Sequence, residues 1–90
     1  MSEVGHKCHA RDCGVAVPPE MLMCRRHWRM VPRKVQLAVW RHFRPGQEVD
    51  KDPSEAWHRA ADAAIGFVAK SERRGYSEDQ RAAMVYYGLL

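Results

Sequence analysis

Hydrophobic positions recur with a helical period in three stretches of this 90-residue chain. Over residues 33–44, projection at about 100° per residue gathers the apolar side chains on one arc and the basic ones on the other. Residues 53–73 repeat the pattern in a longer, alanine-rich form, and residues 77–87 show a shorter one. The chain is therefore predicted to be mainly α.

Local sequence signals predict where these helices begin and end. Pro32 suits the first position of the basic helix, and Pro45-Gly46 ends it. Asp52 is the expected N-cap of the long helix, and Gly75 is the expected left-handed residue after it. Residues 77–80 (SEDQ) form a capping box that opens the last helix.

The side chains expected in the core follow from the same projections. Trp40 and Trp57 are predicted to be buried, whereas Gly66 falls on the polar side of the long helix. The last helix has two open interpretations. It either packs back on the domain through residues such as Met84, or it leaves residues such as Tyr86 exposed as a partner surface.

The stretch CHARDCGVAVPPEMLMCRRH holds every cysteine of the chain and contains the candidate metal ligands. Its pattern, C-x4-C-x10-C-x2-H, offers three sulfurs and one imidazole nitrogen, which is a donor set that tetrahedral zinc prefers. The sequence predicts one structural Zn²⁺ held by Cys8, Cys13, Cys24 and His27. Four protein ligands would close the site and leave no position for a substrate.

Some alternatives to this ligand set stay open. His6 and His9 flank Cys8, and either could replace a ligand. His27 is preferred because a spacing of three places it on the same helical face as Cys24. Buried or free thiols are a second interpretation. A disulfide is disfavoured because an odd number of cysteines leaves one unpaired.

The metal pattern and the helices together define the predicted architecture. A knuckle, a short arm around Pro18-Pro19 and a helix over residues 21–30 form a small treble-clef-like zinc module at about 6–30. An amphipathic helical hairpin and a short C-terminal helix follow at about 32–90. The whole chain, 1–90, is expected to be one small domain that a bound metal would stabilise.

Charge points to the class of partner. The net charge is +4, yet residues 48–90 carry more acidic than basic side chains. The excess of positive charge therefore lies before residue 48. Residues 21–47 contain no acid and seven bases. A solvated face is one interpretation, and a polyanion site is the other. The predicted contact residues are Arg25, Arg26, Arg29, Arg33, Lys34, Arg41 and Arg44.

The run LMCRRHWRMVPRKVQLAVWRHFRPGQ, followed by PSEAWHRAADAAI, resembles small zinc-finger-like proteins encoded by bacteriophages and prophages. The shared features are the Cys-x2-His-Trp helix start, a Val-Pro, a basic helix and the Arg-Pro-Gly-Gln turn. The likeness covers roughly residues 8–70. It implies a metal site and a phage-type origin, without implying an activity.

These observations favour a nucleic-acid-binding, regulatory protein. The alternative is an adaptor or inhibitor that binds an acidic or host protein. A nuclease of the His-Asn-His type is a remote third, because the chain has no asparagine and neither His42 nor His58 has a convincing partner. We therefore expect no enzyme. With no apolar segment of about 20 residues and no export signal, we expect no membrane span and a cytoplasmic location.

Overall fold

The computed structural model describes residues 7–10, 13–18, 21–43 and 54–90. Within these ranges lie four helices: α1 (Arg25–Trp28), α2 (Arg33–Arg41), α3 (Glu55–Ser71) and α4 (Glu78–Tyr86). The same ranges contain no strand, only an isolated antiparallel bridge between Lys7 and Ala16. The mainly helical prediction is confirmed, and no described helix is long and apolar enough to cross a membrane.

Helix starts follow local chemistry, with three corrections. α2 begins at Arg33, so Pro32 is its N-cap and not its first residue as predicted. α1 is shorter than predicted, because Cys24 keeps an extended backbone and acts as its N-cap. α3 is capped by Ser54, whose hydroxyl accepts from the Trp57 N–H at 3.1 Å. The predicted N-cap, Asp52, is therefore wrong, and its own structure lies outside the described residues, as does the predicted turn at 45–46. The capping box of residues 77–80 is confirmed.

The end of α3 uses an unexpected residue. Arg73, rather than Gly75, takes the left-handed conformation, with φ at 61°. The N–H of Arg74 donates to the Ala69 carbonyl at 2.7 Å, and that of Arg73 donates to Lys70 at 3.0 Å, which together form a Schellman turn. This turn places Glu72, the C-cap residue of α3, at a defined point on the surface of the fold.

α3 is the central element because it packs against both α2 and α4. Its small residues, Ala60, Ala61, Ala63, Ala64 and Gly66, are all buried. One buried cluster runs from Cys8 through Val35 and Val39 to Ala83, so the cysteine-bearing segment and the helices share a core. Of the two interpretations of α4, packing is correct, since Ala83 and Met84 are buried.

Gly66 is buried against α4, so its predicted placement on the polar side of the helix is wrong. A Cβ at this position would stand 2.9 Å from Met84 Cε and 3.0 Å from Gln80 Cβ. We expect Gly66→Val to lower the free energy of unfolding by about 1 kcal/mol, after the gain in helix propensity is subtracted from the cost of overpacking. Urea unfolding measures it, with Gly75→Val as control because nothing lies within 4 Å of that site. Equal effects of the two variants would contradict this packing.

Asp62 lies in an open groove of about 470 Å³ between α3 and α4. Burial raises the pKa of its carboxyl, the nearby Asp79 raises it further, and His58 partly opposes both. A raised folded-state pKa favours folding while the group is protonated, and this contribution is lost as pH rises through that pKa. Asp62→Asn should therefore raise the melting temperature at pH 7.

The gain from Asp62→Asn should disappear near pH 3, where the wild-type carboxyl is protonated in both states. Thermal melts across this pH range check it. Glu78→Gln controls for the loss of one negative charge, because Glu78 is exposed in the first turn of the last helix, where losing a negative charge should not raise the melting temperature. A pH-independent gain would show that removing the charge on Asp62 is not the cause.

Candidate metal centre

The cysteine-bearing segment is held by backbone hydrogen bonds that bring distant ligands together. The Cys8 N–H donates to the Val15 carbonyl at 2.8 Å, and the Cys13 N–H donates to the Ala10 carbonyl at 3.1 Å. Cys13 is thereby held close to Ala10, and we call Cys8, Ala10 and Cys13 the knuckle. The His9 N–H donates to Leu22 at 3.0 Å and ties the knuckle to the chain leading into α1. Cys24 and His27 then project from the start of α1 toward the knuckle.

The four predicted ligand atoms form one cluster, all within 4.8 Å of one another. His27 Nδ1 lies 3.3 Å from Cys24 Sγ and 3.6 Å from Cys8 Sγ. The sulfurs of Cys13 and Cys24 are 4.0 Å apart. Zinc–sulfur bonds of about 2.3 Å in a tetrahedron would separate two sulfurs by about 3.8 Å. The cluster is therefore compatible with one metal ion at its centre.

Burial makes this a closed site. Cys8 and Cys24 are buried, His27 is only 1% exposed, and Cys13 is half-buried. All three cysteines are free of disulfides. His9, an alternative ligand, is exposed and lies outside this cluster, and His6 is outside the described residues. Among the described residues, this is the only cluster of metal-binding type. Such a closed set is typical of a structural site rather than a catalytic one.

The thiols differ in acidity. Burial raises the pKa of Cys8 to about 11, although the Cys24 and Ala10 amides oppose it. Burial also acts to raise the pKa of Cys24, but hydrogen bonds with the amide and ring of His27 and with the Cys8 and Cys13 side chains together outweigh it, and the value falls to about 7. A raised pKa at Cys8 beside a lowered pKa at Cys24 is the pattern expected when two ionisable groups share a small space. A divalent cation at the centre would favour ionisation of all three thiols.

Glu72 completes the centre, and sequence reasoning did not predict it. Its Oε2 atom lies 3.2 Å from His27 Nε2, the ring nitrogen that faces away from the sulfurs. The same carboxylate pairs with Arg26 at 3.3 Å and with Arg74 at 3.5 Å. Burial acts to raise the pKa of Glu72, but hydrogen bonding to His27 and the nearby charges outweigh it and lower the pKa. A ligand histidine usually donates its second N–H to such a carboxylate.

The proton on the His27 ring follows from the role of Nδ1. If Nδ1 offers its lone pair to a metal ion, the neutral ring carries its hydrogen on Nε2. Nε2 then donates to Glu72 Oε2. Arg26 Nη2, which lies 3.0 Å from the same nitrogen, then adds no hydrogen bond to it and acts through its contact with Glu72. The geometry therefore favours a metal–histidine–carboxylate chain joining α1 to the end of α3.

All six predicted basic residues that the structure describes are exposed. Arg25, Arg29, Arg33 and Arg41 lie on α1, α2 and the turn between them. Arg26 also pairs with Glu72, and the Lys34 ammonium lies near Gly88, 3.5 Å from where a Cβ there would stand. Arg44 lies outside the described residues.

The predicted aromatic core is also only partly right. Trp57 packs against the core cluster as predicted. Trp40 was expected to be buried but is 46% exposed, although part of it lines a narrow apolar cleft with Trp28 and Trp57. His42 is half-buried and His58 is exposed.

Comparison of this chain with known protein families, with characterised proteins and with solved structures finds no match. The resemblance to phage-encoded zinc-finger-like proteins therefore stays a hypothesis. The helical fold and the Cys3His cluster rest on the structure alone.

Proposed function

We propose that this chain is a small zinc-stabilised, nucleic-acid-binding protein of regulatory, phage type, acting in a bacterial cytoplasm. The observation that carries the proposal is a set of four exposed arginines on α1, α2 and the turn between them, Arg25, Arg29, Arg33 and Arg41, which we call the arginine face. Residues 21–43 themselves contain no acidic side chain. A concentration of exposed bases in one part of the chain attracts a polyanion.

The metal is proposed to be zinc, in a treble-clef-like module. Three sulfurs and one nitrogen form a donor set that zinc accepts readily, whereas magnesium and calcium prefer oxygen. The ion would fix α1, which has only four residues, to the segment that carries Cys8 and Cys13. A short helix is marginal in water by itself, so the metal would hold the α1 end of the arginine face in one position.

Phosphate contacts predict a measurable salt dependence. If the four arginines each neutralise one phosphate, the logarithm of the binding constant should fall with the logarithm of salt concentration with a slope of about −3 to −4. A protein whose true partner is another protein would not show the same slope with oligonucleotides of unrelated sequence. The salt slope therefore measures phosphate neutralisation itself.

A charge-reversal pair tests the arginine face. We expect Arg33→Glu/Arg41→Glu to abolish binding of a fluorescent oligonucleotide at low salt, measured by anisotropy. Arg33 is the first residue of α2, where a negative side chain favours the helix, so loss of binding there would not reflect a lost helix start. Lys70→Glu/Arg81→Glu is the matched control, because both residues are exposed outside this region and Lys70, like Arg41, lies in the last turn of its helix.

Absence of binding by the wild-type protein at low salt would overturn the proposal. It would favour the second candidate, an adaptor or inhibitor that binds an acidic or host protein. That candidate has its own observation, because Tyr86 is 65% exposed and Leu90 is also exposed at the end of the chain. Aromatic side chains and arginines commonly anchor protein interfaces. No catalytic role is proposed, because four protein ligands leave no open metal position.

A further inference from the structure

We infer that Trp40 is a stacking platform for an unpaired base, so that the preferred ligand is single-stranded nucleic acid. This inference rests on the proposed function and narrows its class of ligand. It starts from an exposed aromatic ring on a helix whose other exposed side chains are largely basic.

The geometry around Trp40 suits a platform rather than a core residue. Its ring is 46% exposed, and the Phe43 ring lies 5.8 Å away, tilted by 58°. Phe43 is half-buried and so supports one side of the indole ring. Leu37, one helical turn earlier, is 56% exposed and extends the apolar surface along α2. A large aromatic surface is thus available to solvent on a supported ring.

The charges beside the ring select the partner. Arg33, Leu37 and Arg41 follow one another at intervals of four, so they form a row along one face of α2. Trp40 lies next to this row, three residues after Leu37. The two arginines are separated along the helix by about 12 Å, at about 1.5 Å per residue. A single nucleic-acid strand that lies along this row would place its phosphates on the arginines and a base on the indole ring.

The shape of the neighbouring surface excludes insertion of a base. Trp40 and Phe43 also line a narrow apolar cleft with Trp28 and Trp57, but this cleft encloses only about 10 Å³. That is about the space of a single water molecule, and a base is many times larger. Contact on the outer surface of Trp40 is therefore the geometry that remains.

Stacking on an outer ring requires a free base face. In a duplex, each base is covered by its neighbours and presents only its edges in the grooves. In a single strand the faces are available, and every base has one, so stacking strengthens binding without a sequence requirement. An exposed tryptophan beside an arginine row thus favours single strands over duplexes.

The test compares a 20-nucleotide oligothymidine with a 20-base-pair duplex, by anisotropy over a range of salt concentrations. We expect Trp40→Ala to weaken single-strand binding by about tenfold, while Trp40→Phe keeps most of it. The salt slope should stay unchanged, because no phosphate contact is removed. Duplex binding should change little. Leu37→Ala is the matched control, since it removes exposed apolar surface from the same helix without removing a ring.

The outcomes separate this inference from the proposed function. If charge reversal at Arg33 and Arg41 abolishes binding but Trp40→Ala has no effect, stacking is overturned and nucleic-acid binding stands. Equal losses from Leu37→Ala and Trp40→Ala would also overturn stacking, because a ring would not be needed. If the wild-type protein binds neither oligonucleotide, both the stacking inference and the proposed nucleic-acid-binding function are overturned. Circular dichroism and metal content of each variant show that it is folded.

Discussion

Removal of the metal is expected to unfold the cysteine-bearing segment, residues 7–31. Its described part contains only a four-residue helix and one isolated bridge, so little regular structure would remain without a bound ion. Structural zinc contributes an apparent ~10–16 kcal/mol in zinc-finger peptides, as much as or more than the whole stability of a typical small domain. A chelator should therefore abolish the dispersed amide NMR signals of this segment.

Native mass spectrometry with and without chelator provides the metal stoichiometry, which we expect to be one ion per chain. Added Zn²⁺ should restore the lost signals, and added Mg²⁺ serves as control because it prefers oxygen ligands. Cys24→Ser should behave like the chelated protein. A purified chain that holds no metal, and whose melting curve is the same in chelator, would show that the Cys3His cluster is an ordinary buried group.

Glu72→Gln is expected to weaken metal binding by about 10- to 100-fold, because the partner of a ligand histidine sets its orientation and basicity. Glutamine keeps the size of the side chain and can still accept a hydrogen bond. It removes the negative charge of Glu72, however. A hydrogen bond from His27 Nε2 to a charged carboxylate is roughly twice as strong as one to a neutral group. Competition with a chromophoric chelator measures the affinity directly.

The control for this prediction is Glu78→Gln, which removes one negative charge from an exposed acid outside the metal centre. Its metal affinity should match the wild type. If Glu72→Gln binds the metal as tightly as Glu78→Gln and the wild type, the contact between His27 and Glu72 is only an ion pair without effect on the ligand.

The metal centre shows how far sequence reasoning reaches. The ligand set was predicted because the cysteines and His27 have spacings that a metal ion requires, and such spacings are visible in one short stretch. The need for a partner to His27 was foreseeable on general grounds, but its identity was not. Glu72 is 45 residues away, and no local pattern marks it. The Schellman turn at Arg73 and the packing of α1 against the end of α3 bring it there.

The helices show the same division. The Ser77 capping box and the buried positions of α2 at Val35 and Val39 were predicted, because caps and helical periodicity depend only on neighbours in the sequence. Gly66 and Trp40 were placed wrongly. Gly66 is buried because α4 returns to pack on the second side of α3, and Trp40 is exposed because nothing described covers the outer edge of α2.

By itself, the sequence determined the helical class, the caps, the Cys3His pattern and the concentration of arginine in one region, all of which are properties of residues close together in the chain. Only the tertiary structure decided which arginine pairs with an acid, which carboxylate holds His27 and which tryptophan reaches solvent. The reason is physical: hydrogen bonds and repeats within a helix act over a few residues. Burial and ion pairing depend on how helices far apart in sequence pack together.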